Sequence, residues 1–590
     1  MNPVIVVGAG PVGLALSLSL ARAGVPVVVV EQETEEEPAR LARSVVLGSD
    51  TVDHLTRLGC GPAMAAAGCR WTALRTLRRT RLMERVPFDD SLPSPLHVPQ
   101  HALTSALRSA LAQEPAARLV TGARAARLDQ DASGVRLTTQ GATPGNPAEW
   151  HGSYLVGCDG ARSLVRKLLG VRFPGRTAVE RHAVAALRCE LPWPGEAVLH
   201  RFPRRRDAAA RDTEVTARPL PDGVWRLDWL LPPGRDLVTP QALLTRVREA
   251  LADWAAEAAH DRHDRSSAAT TEVPYELLDT GVHTVHHRLA LAWRRERVFL
   301  AGDAAHLLGA LGTHGLDEGF RDAENLAWKL AWCWHHGPDE ALLDSYQHER
   351  RGSVAARLRA ADQVLPLLRD GVQGAGLRRL LPKAGTGPLA LLADGHLGRG
   401  PAGGTPQYTG SPLTPEGGPG GRRGGGQRTP VPAACATPPG ALTTDVPVTA
   451  PDGSRVRLHD RLGHRLLVVL VAPGTAVWDQ RHWMSAGVMP QLNAVVADLA
   501  VPAEVLVAEA YPGTVAHTVL VVRPDGRLVC AVDGVNSAQL RDAAGLVWRG
   551  VTGAEGTRAL EAGPGGLSAL PAGAARGPSS RPRPPEGHGE

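Results

Sequence analysis

The chain has 590 residues, 43% of them hydrophobic and 21% charged, which describes a soluble protein too long for one core and divided into several domains. A net charge of +5 over that length is too dilute for a nucleic-acid partner, and the small clusters at Arg204-Arg205-Arg206 and Arg422-Arg423 read as solvated loops. Seven cysteines without a C-x-x-C pair argue against a disulfide framework or a zinc site, no apolar run reaches the roughly 20 residues of a membrane span, and a reducing cytoplasm is expected.

The first predicted elements come almost at once. Val4 to Val7 is a β-branched apolar run suited to a buried parallel strand. Gly8, Gly10 and Gly13 follow as G-x-G-x-x-G, then a helical pattern through Leu20 and a second strand, VPVVVV, ending at Glu31. Gly8 makes the tight turn, Gly10 lets backbone approach a pyrophosphate, and Gly13 lets helix and strand pack closely. The helix start offers unpaired N–H groups and a partial positive charge of about half a unit. Glu31 stands where an acid takes the hydroxyls of an adenosine ribose. An adenine dinucleotide is expected here.

Two later segments repeat the strand–turn–helix logic. SYLVGCDGARSLVRKLLG closes a strand with Asp159-Gly160, and RVFLAGDAAHLLGALGTHGLDEGF closes another with Gly302-Asp303 before a helix begins near Gly315. An acid at the carboxyl end of a parallel strand suits a sugar or ribityl hydroxyl. Between them, HAVAALRCEL, AVLHRF, TEVTARPL and GVWRLDWLL read as short antiparallel strands bounded by PDG and PPG turns. In VWRLDWLL the alternation sets Trp225 and Trp229 on one face and Arg226 and Asp228 on the other. Residues 386–440 are Gly/Pro-rich and read as a linker, 441–562 regain strand patterns, and 563–590 form a Pro/Gly/Ser/Arg-rich tail expected to be disordered.

The trio GxGxxG, DG and GD, in this order, resembles the class A FAD-dependent aromatic monooxygenases related to p-hydroxybenzoate and phenol hydroxylase. The long chain resembles their aromatic polyketide branch, and the resemblance covers about residues 3 to 385. It implies an α/β fold: a Rossmann-like FAD-binding domain over 1–175 and 286–385, an inserted antiparallel-sheet substrate domain over 176–285 with help from 71–97, and a thioredoxin-like C-terminal domain over 441–562 with a structural role. It implies that Gly8, Gly10 and Gly13 hold the FAD pyrophosphate, with Glu31 on the ribose and Arg43 on the phosphates. Gln100 matches a glutamine beside the flavin, and Asp159 an aspartate associated with both FAD and NAD(P)H. Asp303 matches the ribityl aspartate, and Gly315, Leu316 and Asp317 the backbone at the pyrimidine edge.

The chain departs from that family after the GD histidine, His306: Pro-Pro and Gly-Gly-Gln-Gly-x-Asn are replaced by LLGALGTHGLDEG, so Ala310 stands at the proline facing substrate and Asp317 at the asparagine. The implied substrate pocket takes Trp225, Arg226, Trp229, Ala310 and Leu311; His314 is the one candidate for catalysis, while His306 and His314 also read simply as structural loop residues. The implied activity consumes NADPH or NADH and O2 and acts through a C4a-(hydro)peroxyflavin, by hydroxylation or Baeyer–Villiger oxidation. The expected substrate is a polycyclic aromatic polyketide, which suits the Ala, Gly, Pro and Arg bias of an actinomycete and the small residues of the altered loop. The alternatives are a catabolic phenol or phenylpropionate hydroxylase, for which Arg226 would bind a carboxylate, and a flavoprotein reductase or flavin-binding interaction protein. A halogenase is set aside because W-x-W-x-I-P is absent. The expected partners are a small aromatic substrate and a second copy of the chain in a homodimer.

Overall fold

The computed structural model describes residues 2–548 apart from 36–37, 79–80, 90–92, 142–147, 202–213, 232–238, 262–272, 309–314, 370–403, 416–433 and 476–484. Strand Val4–Val7 is buried along its whole length and pairs in parallel with Val27–Val30 on one side and Tyr154–Gly157 on the other. Ala117–Val120 and Val298–Leu300 extend this parallel core, and Arg294–Arg295 closes one edge antiparallel. β-Branched residues fill Val4–Val7 and Val27–Val30 because both faces of these strands are covered, by helix Pro11–Arg22 among others. Both expected motif turns, at Cys158–Gly160 and Gly302–Asp303, leave the carboxyl ends of neighbouring strands, where sites in such sheets form.

An eight-stranded sheet supplies the second layer. It runs from His306–Leu307 through Tyr275–Leu289, Gly175–Cys189, Val224–Leu231, Glu214–Pro219 and Glu196–Arg201 to Ala73–Arg78 and Arg81–Pro87. All its pairings are antiparallel except that of Glu196–Arg201 with Ala73–Arg78. Strand Tyr275–Leu289 runs past the expected boundary at residue 285, because its last residues still pair in this sheet, with Gly175–Thr177 and His306–Leu307.

The C-terminal region is a six-stranded mixed sheet, with Leu466–Val471 parallel to Ala503–Ala508 and antiparallel to Thr518–Val522. It meets the flavin-side helices through a buried ion cluster. Arg523 reaches Glu349 through its two terminal guanidinium nitrogens, at 2.5 and 2.9 Å, and Asp525 at 2.6 Å; Lys329 reaches Glu349 at 2.7 Å. Part of the expected linker joins this cluster: Ser411 donates to Glu349 at 2.5 Å, and Tyr408 and Leu413 are buried. Gly/Pro richness marks backbone without regular structure, and in 404–415 that backbone is packed by side chains. Residues 386–403 and 416–433 of that stretch and the tail 563–590 lie outside the described residues. Among the described residues no helix is long and apolar enough to cross a membrane.

Arg523→Ala leaves Glu349 and Asp525 buried without their shared partner. The expected cost is about 3–5 kcal/mol, read as a lowered denaturant midpoint; an unchanged midpoint contradicts the role given to the cluster.

Candidate active site

The glycine loop is fixed by steric necessity. Gly8 has φ +105°, and a Cβ there would sit 2.5 Å from the Cys158 carbonyl oxygen; one on Gly13 would sit 2.0 Å from the Gly8 carbonyl oxygen. Gly10 has no atom within 4 Å of an added Cβ and faces the open cavity. It caps helix Pro11–Arg22, whose first turn carries neither a capping side chain nor an acid. A positive helix end beside open space, without a capping side chain of its own, is a cradle for an anion such as a pyrophosphate.

Glu31 works on the protein as well as toward the cavity. Its carboxylate accepts from the Ala9 N–H at 2.6 Å and the Glu33 N–H at 3.0 Å, pinning the glycine loop while lining the cavity. Gln100 opens helix Gln100–Leu111, and its N–H donates to the Arg43 carbonyl at 2.9 Å. Asp303 sits in a one-turn 3₁₀ helix, Gly302–Ala304. Its side chain is open to the cavity but walled by protein, and this burial pushes its carboxyl pKa up, with His306 and Arg43 pulling the other way. Arg43, Gln100, Asp303, Gly315 and Leu316 all line the same cavity, of about 1030 Å³. That lies at the top of the range for small-molecule sites, roughly 300–1,000 Å³.

Two of the expected residues, Asp159 and Asp317, turn their side chains elsewhere, and His306 holds the structural position also read for it. The Asp159 carboxylate accepts from the Leu164 and Val165 N–H groups at 2.6 and 3.0 Å, capping a short helix, and its neighbours Cys158, Gly160 and Ala161 line the cavity instead. The Asp317 carboxylate accepts from the Gly48 N–H at 3.2 Å, away from the cavity. His306 is fully buried, stacked on Trp293 and bonded through Nε2 to Asp322 at 2.8 Å, a structural position. Ala310, Leu311 and His314 lie outside the described residues.

The tryptophan expectation needs correction. Trp225 and Trp229 are buried against Leu243, Val247 and Trp254 of helix Pro240–Asp261, so they form the core behind the sheet and not a cavity wall. The polar face looks at the cavity. Arg226 lines it, bonded to the Ser44 backbone and to Asp228 at 2.9 Å. His97, behind Ser44, is held to about 3 by burial and by Arg218 and Arg226, although its bond to the Pro219 carbonyl opposes the shift. Val184, His283 and His286 also line the cavity and were not singled out from the sequence; the polar alternation in TGVHTVHH was the available signal.

These arrangements fit an FAD-dependent oxygenase, and the relatives agree. Residues 1–361 match the FAD binding domain family, to which the chain belongs. The chain is 33% identical over 394 residues to the 12-dehydrotetracycline 5-monooxygenase/anhydrotetracycline 6-monooxygenase of Streptomyces rimosus, covering 64% of this chain and 72% of the relative. It is 30% identical over 274 residues to the 3-(3-hydroxy-phenyl)propionate/3-hydroxycinnamic acid hydroxylase of Paraburkholderia xenovorans, covering 45% of this chain and 40% of that one. The fold is that of a ternary complex of aklavinone-11 hydroxylase with FAD and aklavinone, at TM-score 0.67 and 23% identity over 93% of this chain and 99% of that one. The protein is an FAD-dependent monooxygenase using NAD(P)H and O2.

A carboxylate on the ribityl chain contributes about 1.5–3 kcal/mol per charged hydrogen bond. Asp303→Ala is therefore expected to weaken FAD binding by at least about tenfold, measured by titrating FAD into apoprotein. Unchanged affinity removes Asp303 from the flavin site.

Proposed function

We propose that the protein oxygenates a polycyclic phenolic or quinonoid intermediate of an aromatic polyketide pathway, by hydroxylation or Baeyer–Villiger oxidation. The observation that carries this reading is one cavity of about 1030 Å³ running from the glycine loop to the antiparallel sheet. Bound FAD supplies hydride acceptance from NAD(P)H and activation of O2. The chain supplies binding and orientation. Gly10 and the start of the Pro11 helix receive the pyrophosphate, with Glu31 beside the ribose and Arg43 near the phosphates. Asp303 takes the ribityl hydroxyls, and the backbone from Gly315 to Asp317 meets the flavin ring. The sheet closes the far side of the cavity and keeps bulk water from the reacting atoms.

Two observations favour a polycycle. Arg226, the residue an arylpropionate carboxylate would need, is already engaged by Ser44 and Asp228. The Streptomyces relative named above acts on tetracyclines and matches over 72% of its length, against 40% for the hydroxyphenylpropionate enzyme. The same reading places the protein in the cytoplasm without a membrane or nucleic-acid partner, and gives the C-terminal sheet a thioredoxin-like, structural part in a homodimer.

The test is aerobic NADPH oxidation under labelled O2 with a tetracyclic phenol and with 3-(3-hydroxyphenyl)propionate. The expected result is a product of the tetracycle carrying one labelled oxygen. Coupled product from the propionate alone overturns the assignment.

A further inference from the structure

Helix Glu340–Tyr346 runs on into Gly352–Arg369 through a single π turn, Gln347–Arg351. Such a turn inserts a residue into the helical winding and recurs at functional positions. Here it brings two consecutive residues of opposite charge, Glu349 and Arg350, to burial at 3% and 0% exposure. Both meet helix Gly315–His336. Arg350 reaches Asp322 at 2.8 Å and the Glu318 carboxylate at 2.7 Å, while Glu349 accepts from Asn325 at 2.8 Å and from Lys329 at 2.7 Å. Residues 318, 322, 325 and 329 follow one another at steps of four, three and four, so they form one stripe along that helix.

The two contacts lead in opposite directions. Glu349 leads to the C-terminal sheet: Arg523 holds both its oxygens, and Asp525, bonded to Arg523, accepts from Asn325 at 3.1 Å. Arg350 leads to the GD turn, because its partner Asp322 accepts from the Gly302 N–H at 3.0 Å. The residue before the π turn holds the strand that enters the GD turn. The fully buried Tyr346 hydroxyl donates to the Leu300 carbonyl at 2.8 Å, two residues ahead of Gly302. Gly302–Asp303 is thus held from the strand side by Tyr346 and from the helix side by Arg350 through Asp322.

Docking of the C-terminal sheet needs Glu349 and Arg523. It does not need the next residue to carry a second buried charge onto the GD turn, and burying that charge is costly unless it is paired. Buried ion pairs add little net stability but fix register. Glu349 and Arg350 share a peptide bond, so a shift of one moves the other. Arg523, Glu349 and Arg350 do not line the cavity, whereas Asp303 does.

We propose that Glu349 and Arg350 are positioning residues that make the C-terminal sheet part of the flavin site. Arg523 fixes Glu349, the π turn carries that constraint to Arg350, and Arg350 acts through Asp322 to set where Asp303 stands. The inference rests on the assignment of Asp303 to the ribityl chain and adds what holds it in place.

The test is a double-mutant cycle on FAD affinity, read from the flavin fluorescence released when the holoenzyme is diluted. Arg523→Ala is expected to weaken FAD binding by roughly 2- to 30-fold, the span of effects carried along packed networks. In an Asp303→Ala background the same substitution is expected to cost nothing further, because the group it displaces is gone. Independent effects would instead multiply to within about twofold. Arg523→Lys keeps the charge on Glu349 without the planar fork; it is expected to lose less, and it carries the cycle if the alanine variant does not fold. Leu506→Ala, in the buried core of the C-terminal sheet, is a control for lost stability and is expected to keep the wild-type affinity. Unchanged affinity in the Arg523 variants, multiplied losses in the double variant, or an equal loss in Leu506→Ala overturns the inference. If Asp303→Ala alone leaves FAD affinity unchanged, the ribityl assignment fails and takes the inference with it.

Discussion

The site depends on one buried carboxylate. Asp322, on the helix that begins at Gly315, is fully buried and accepts from the Gly302 N–H at 3.0 Å, from His306 Nε2 at 2.8 Å and from Arg350 Nε at 2.8 Å. Gly302 has φ +60°, a conformation that glycine adopts without cost, and its N–H is held by Asp322. That turn presents Asp303 to the cavity. The same carboxylate sets the distance between the GD turn and the Gly315 helix, so the two walls that would hold the ribityl chain and the flavin ring move together. A buried charge with three charged or polar donors is stable where a lone one would not be.

From Asp322 the constraint spreads along the helix. Glu318, one turn earlier, is fully buried among Arg321, Arg350 and Arg357; burial alone would raise its pKa, and the three guanidiniums hold it well below the usual carboxylate range. Lys329 and Asn325, further on, join Glu349 and thereby Arg523 of the C-terminal sheet. This helix buries a row of charged and polar groups beside an apolar row of Phe320, Ala323, Leu326 and Leu330, where an ordinary amphipathic helix buries only the apolar one. Such charged rows are poor sources of net stability but strong determinants of register, since any slip leaves a charge unpaired. A C-terminal sheet far from the cavity thus bears on the helix whose first residues line it.

How much of this was legible in the sequence follows from the range of each interaction. The glycine loop, the DG and GD turns and the start of the Gly315 helix are local, and their residues are fixed by φ, by steric contact or by a helix end within a few positions. They read directly. The face of VWRLDWLL could not be read, because alternation separates Trp225 and Trp229 from Arg226 and Asp228 without saying which side a later helix covers. Helix Pro240–Asp261 takes the tryptophans, and the charged side is left for the cavity. The His182–His283 stack is longer-ranged still: it exists only because two strands distant in sequence align in register. Asp159 and Asp317 were found as positions, but their side chains bond to backbone nearby, a competition that motif spacing does not resolve.

In the proposed reading flavin and polycyclic phenol share one cavity, the flavin on the side of the two helix ends and the phenol against the polar face of the sheet. A crystal structure of the protein with FAD and a tetracyclic phenol tests it most directly. The account predicts the pyrophosphate at Gly10, the flavin ring against Gly315 and Leu316, and the phenol between that ring and the wall formed by Val184, Arg226 and His283. A phenol seated elsewhere, with that wall facing only solvent, would contradict it.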